Sequence, residues 1–206
     1  MKKKAIVIIV FVIIISSISN CSCYGKTNSI KGTNYECLVK DNYAYCDDFQ
    51  DLYKVNLTTK MVEPLKTGSG LKGYKTIKGN YLYYIEHGHS VGDSRISRIN
   101  INNGKYKKLA ENVDIKGFVI KGSKIYYTKE VLNLKNWKTK KTHMVMKLNG
   151  KGKKKTKYNI VVSHKVSNTD GYGVYFEFVS RKTSNLKDYY LQTPIGDIYL
   201  SRNDVT

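Results

Sequence analysis

The chain has 206 residues, 41% of them hydrophobic, and 36 Lys and Arg against 16 Asp and Glu, for a formal net charge of +20. So large an excess speaks against a cationic partner and for anionic surroundings: wall polymers such as teichoic acids, acidic glycans, phospholipid head groups or nucleic acid. The alternative is a lysine-rich composition that keeps an exported protein soluble. No amphipathic helical stretch of useful length follows the N-terminal segment, and only Pro64 and Pro194 interrupt the chain, which leaves strands as the building element.

The chain opens with "MKKK", then the apolar run Ala5 to Ile15, then "SSISNCSCYGK". A basic, then apolar, then small-residue order predicts a secretory signal over residues 1–22, helical in its apolar part. Its eleven unbroken apolar residues fall short of the about 20 that span a bilayer. Removing Lys2, Lys3 and Lys4 with it takes the charge from +20 to +17. The signal ends at Cys21 and Cys23 and resembles the lipobox of bacterial lipoproteins, in which a lipidated cysteine becomes the first mature residue. Cys21 follows Ile18 and Ser19, as that pattern prefers, but Asn20 stands where a small residue belongs; Cys23 follows Ser22. An ordinary cleaved signal is the alternative. The resemblance implies a lipid anchor on Cys23 or Cys21 and a place on the outer face of the cell membrane.

A short linker, residues 23–33, leads to a hairpin. If Asp41 and Asn42 form a two-residue turn, positions 40 and 43, 39 and 44, 38 and 45, then 37 and 46 face one another. Cys37 and Cys46 then meet across the ladder, and export predicts a disulfide between them.

This hairpin begins a repeat. "KDNYAYCDD" from Lys40, "KGNYLYYIE" from Lys78, "KGSKIYYTKE" from Lys121 and "TDGYGVYFEF" from Thr169 start 38, 43 and 48 residues apart, a period of solenoids and propellers. Each copy continues with further strands and polar turns: "DLYKVNL" and "MVEPLK", "SRISRINI" and "YKKLAE", "HMVMKLN" and a lysine-rich strand, "DYYLQT" and "DIYLSR". In the second copy Tyr81, Tyr83 and Ile85 point one way and Leu82 and Tyr84 the other, so this strand must be covered on both faces. Radially stacked sheets provide that cover. The expected fold is therefore all-β and β-propeller-like. It comprises about four blades of four antiparallel strands within residues 34–205, at about 34–66, 71–110, 114–158 and 159–203. Four copies fit either a small closed ring or an open arc with capped ends.

The turn before an "(I/L/V)-Y-Y" strand, the "I-x-R-I-N" strand and the "K-K-L" strand resemble the tyrosine-rich propeller repeats of clostridial and related Gram-positive surface proteins. That domain family, of unknown function, is related to TolB-type and receptor-type propellers. The resemblance implies a propeller fold and a surface location, and it brings no catalytic residues with it.

Motifs for chemistry are weak. Gly68, Gly70 and Gly73 spell GxGxxG, but a strand follows where dinucleotide binding needs a helix. His87 and His89 with Glu86 and Asp93 flank a glycine without a third ligand at fixed spacing, and Asp47, Asp48 and Asp51 match no calcium loop. No metal, cofactor or catalytic set is assigned. In a four-stranded blade the long connections open on one face, here "EHGHSVGDSR", "EVLNLKNWKTKKTH" and "SRKTSNLK". Trp137, the only tryptophan, lies there among Lys135, Lys138, Lys140 and Lys141, with Arg181 and Lys182 in the third connection. Its ring can stack on a sugar while the lysines meet phosphate or carboxylate, or it can fold back over a blade edge. The basic run Lys151 to Lys157 falls on the opposite face as a solvated turn.

The expected function is a non-catalytic surface module binding an anionic polymer or a surface protein through this long-loop face. The first alternative is a glycan-acting enzyme with a cross-blade site, which would bring His87, Asp93 and Glu177 together. The second is a structural or sensory segment completed by another chain. Nucleic-acid binding is disfavoured by export and by the absence of a reading motif.

Overall fold

The computed structural model describes residues 28–47, 51–66, 71–88, 93–178, 187–194 and 196–200. The signal segment with Cys21 and Cys23, and also Asp48, Gly68, Gly70, His89, Arg181 and Lys182, lie outside the described residues.

The described residues are all-β. The first meander is β1 (Ser29–Lys40), β2 (Tyr43–Asp47), β3 (Leu52–Asn56) and β4 (Val62–Lys66). The second is β5 (Leu71–Lys78), β6 (Tyr81–His87), β7 (Arg95–Asn100) and β8 (Tyr106–Glu111). The third is β9 (Val113–Lys121), β10 (Lys124–Asn133), β11 (Lys138–Lys147) and β12 (Lys154–Lys155). A single strand, β13 (Asn159–Ser167), then leads to β14 (Gly173–Phe178), β15 (Lys187–Gln192) and β16 (Ile198–Leu200). The first two meanders join through Tyr35 and Lys75 into one sheet, to which β13 also belongs.

The repeated turns work because one residue in each adopts a left-handed conformation. Asp41, Gly79 and Gly122 hold φ of 53°, 60° and 60° at matching places in "KDN", "KGN" and "KGS", the backbone that a tight hairpin needs and that glycine adopts without strain. The first hairpin has the expected register, Lys40 opposite Tyr43, Val39 opposite Ala44 and Leu38 opposite Tyr45.

Side chains from alternate strand positions enter different cores. Leu82 and Tyr84 pack with Leu38, Tyr45 and Leu52, whereas Tyr83 and Ile85 pack with Phe118, Ile125, Tyr127 and Met146. The other face of the first meander, with Ala44 and Val55, meets Leu191 and Ile198. The other face of the third, with Tyr126 and Val145, meets Ile30 and has Tyr158, Ile160 and Val162 packed against it. Fully burying one such side chain contributes roughly 1.5–3 kcal/mol. Meanders thus stack face to face in a propeller-like arrangement, as strands apolar on both sides require.

The centre of this arrangement is a pairing that the sequence did not announce. β1 runs parallel to β13 from Ser29 opposite Asn159 to Cys37 opposite Ser167. Beyond the ladder, the Asn168 side chain continues it: Val39 N–H donates to Asn168 Oδ1 at 2.7 Å, and Asn168 Nδ2 donates to the Val39 carbonyl at 2.8 Å. Close approach at this centre needs small residues. A Cβ on Gly32 would lie 2.7 Å from Val119 Cγ1, and Gly117, at φ +107°, leaves room for Asn34 Oδ1. That oxygen accepts from Phe118 N–H at 3.2 Å. Lys75 is fully buried, its ammonium meeting the Asp47 carboxylate and the Glu36 carbonyl, so a charge that would be costly alone is matched by an opposite one.

The expected Cys37 to Cys46 disulfide is not formed in this structure. The β1–β2 ladder stops at Leu38 and Tyr45, and at Cys37 β1 is laddered to β13 instead. Both cysteines are buried in one apolar cluster. Burial pushes the Cys37 thiol up to about 12, with Lys75 pulling the other way, so it remains protonated at neutral pH.

Candidate functional site

The segment expected as the longest loop, residues 130–143, is instead a hairpin arm. β10 and β11 stay paired outward to Asn133 opposite Lys138, and only Leu134 to Trp137 form the turn. β9 accompanies β10 only as far as Lys129. From Val131 outward the arm therefore has two strands, and three residues at ~3.3 Å each carry it about 10 Å beyond the sheet before the turn begins. Lysine and threonine, exposed on both faces, gave no hydrophobic alternation from which strands could be read.

A two-stranded ribbon is marginal alone, and this one is held at its base. Glu130 N–H donates to the Asn112 carbonyl at 2.7 Å. The Lys141 ammonium lies 2.9 Å from Asp114 Oδ2 and 3.3 Å from Glu130 Oε1. Burial alone would raise the Asp114 carboxyl, but the Lys116 backbone N–H and the Lys141 ammonium outweigh it and hold the carboxyl below its ordinary value. Hydrogen bonds to Asp114 and Glu130 raise Lys141 correspondingly. Of the lysines singled out from sequence, Lys141 is thus committed to the protein itself. Lys135, Lys138 and Lys140 are exposed.

The tip displays apolar side chains to solvent. Trp137 is 75% exposed, Leu134 71% and Val131 45%, so Trp137 does not fold back over a blade edge. Its φ is +54°, a left-handed backbone unusual for a bulky residue. The carboxamides beside it face inward: Asn133 Oδ1 accepts from Lys135 N–H at 3.0 Å and Asn136 Oδ1 from Lys138 N–H at 3.1 Å. From Val131 to Lys140 the arm contains no acidic residue. It therefore presents an indole, two aliphatic side chains and three ammonium groups. Leu134 and Val131 were missed from sequence because apolar residues are ordinarily assigned to a core; Asn at 133 and 136, each followed two residues later by lysine, was the available signal of a capped turn.

The rival constellation draws on two sheets. His87 ends β6 and the exposed Asp93 precedes β7, whereas Glu177 falls on β14, opposite Asp188 in register. Burial lowers the His87 pKa, and its Nε2 occupies the place that a Cβ on Gly73 would take. Glu86 accepts from Ser97 at 2.9 Å and from the Tyr106 hydroxyl at 3.1 Å, with Arg95 Nε 3.6 Å away. Of the aspartates, Asp47 pairs with Lys75 and Asp51 is half-buried. The basic run Lys151 to Lys155, with Lys157, is exposed around β12.

No known protein-family profile and no curated protein matches the chain. Similar solved structures include the N-terminal domain of Nup159, at 14% identity and a TM-score of 0.42 over 82% of this chain and 48% of that one. TolB from Agrobacterium tumefaciens is similar at 13% identity and TM-score 0.37 over 55% and 43%. An oligogalacturonate lyase is similar at 12% identity and TM-score 0.35 over 78% and 50%. The chain spans half or less of the length of each. At such scores these likenesses carry no function to this chain.

Proposed function

We propose that this chain is a non-catalytic binding module of the cell surface. It is exported, carried on the outer face of the membrane by a lipid on Cys23 or Cys21, and it grips a polyanion with the β10–β11 arm. Four blade-like units make the scaffold, the β1–β13 ladder closing them within one chain. The observation that carries the reading is the arm: Lys135, Lys138 and Lys140 surround an exposed indole, with no carboxylate among them to neutralise the charge. The overall charge of +20 adds long-range attraction that draws a polyanion toward the molecule.

The test is retention of the full chain on immobilised teichoic acid, an acidic glycan and a neutral glycan across a salt series. Retention on the anionic supports alone, declining as salt rises, is expected. Replacing Lys135, Lys138 and Lys140 together with glutamine should weaken it about 10- to 100-fold, at ~0.5–1 kcal/mol for each exposed contact. Unchanged retention of the triple variant would refute the arm as the binding surface.

A further inference from the structure

We propose that the polyanion met by the arm is the head-group layer of an anionic phospholipid bilayer, into which the tip inserts Trp137, Leu134 and Val131. The inference rests on the arm being the polyanion-binding surface and narrows what that surface meets.

Lysines alone suit any polyphosphate or polycarboxylate. The aliphatic side chains do not. A hydrated polymer offers no apolar phase to Leu134 and Val131, which stand 71% and 45% exposed beside Trp137 at 75%. A sugar site would surround its aromatic plane with acceptors for hydroxyl groups. Here the carboxamide oxygens of Asn133 and Asn136 are occupied by the turn's own N–H groups, and no carboxylate lies between Val131 and Lys140. What remains is an apolar tip bordered by cations. An indole favours the depth of lipid head groups, and lysine stems lie along apolar surface while their ammonium groups reach phosphate.

The dimensions agree. Val131 stands opposite Lys140, two residues behind the turn-flanking pair Asn133 and Lys138, so about 7 Å of strand separates it from the turn. Interfacial segments bury their apolar faces by roughly 5–10 Å. The strands pair with each other outward to Asn133 and Lys138, but their outer edges carry unpaired backbone groups, so the backbone of the arm stays among the hydrated head groups and only the tip side chains reach deeper.

Trp137 is the only tryptophan in the chain, and its fluorescence therefore reports the tip alone, whatever the N-terminal segment does. The full chain is mixed with phosphatidylglycerol or phosphatidylcholine vesicles, with and without bromine on the acyl chains. A blue shift and bromine quenching are expected with phosphatidylglycerol only. Leu134→Asn should lower the partition coefficient about tenfold. The Lys135, Lys138 and Lys140 to Gln triple variant should lower it about 100-fold. Retention on immobilised polyanions without shift or quenching overturns insertion and leaves the polyanion surface standing. Loss of both overturns both. Equal quenching in phosphatidylcholine, or in the triple glutamine variant, overturns the anionic requirement.

Discussion

Trp137 ends a turn whose plan recurs twice elsewhere in the chain, once with glycine at the same place. Asn56 to Lys60 and Asn100 to Gly104 follow the same plan as Asn133 to Trp137, an asparagine first and a left-handed residue fifth, with φ of 59°, 66° and 54°. In the first two, the fifth residue's N–H bonds the asparagine carbonyl. A bulky side chain in that backbone costs about 1–2 kcal/mol, of which glycine gives back part through its greater unfolded freedom. Trp137→Gly should therefore raise the stability of the protein by about 0.5–1 kcal/mol, read from the urea midpoint by circular dichroism. The same variant should be retained less on polyanions. A substitution that stabilises the fold while weakening binding is what a strained functional residue produces. The sequence made Trp137 conspicuous as the sole tryptophan among lysines, but its exposure and strain depend on a turn that cannot be located without knowing where the flanking strands end.

Among elements, the arm depends on a charge clamp with a defined pH range. Asp114 sits below its ordinary value of 3.8, so its contribution is present above that value and is lost as pH falls through the lower folded one. Lys141 sits above its ordinary 10.5, so its contribution is present below that value and is lost as pH rises through the higher one. Between these limits the clamp holds. Fluorescence anisotropy of Trp137 should stay level from about pH 5 to 9 and fall below about pH 4 as the arm loosens. Asp114→Asn should show the lower anisotropy already at neutral pH and no acid transition. An anisotropy in this variant equal to that of the native chain would mean that the Lys141–Glu130 pair suffices. The first hairpin was legible from Leu38 to Tyr45 because two turn residues fix a register, whereas its end before Cys37 and Cys46 was not. The arm was not, since its stabilising partner, Asp114, lies on β9 rather than beside it in the chain.

Over the whole molecule, two-sided burial was written in the sequence and the pairing of β1 with β13 was not. Tyr81 to Ile85 carry apolar side chains on both faces, and a strand of that kind requires a neighbour on each. The parallel β1–β13 ladder has no local turn to announce it. "NIVVSHKVS" is exposed or half-buried along its whole length, so its pattern gave no partner. The packing around Gly32 tests the importance of this junction. Gly32→Ala would press a methyl group against Val119 and should cost about 1–3 kcal/mol by urea unfolding. A cost near zero would mean that β1, β9 and β13 yield there without loss.

The same ladder orders events during synthesis. β1 leaves the ribosome before the other described strands, yet its partners, Asn159 to Ser167, stand 130 residues behind the positions they face. Its far end pairs locally with β2, so half of one strand can be placed early while the other half waits. Contacts so distant in the chain are slow to form because the intervening segment must first be enclosed. Until then Ile30, buried in the finished protein, is without β13, and the first strand is the one that translation leaves open longest to chaperones, proteases and neighbouring chains.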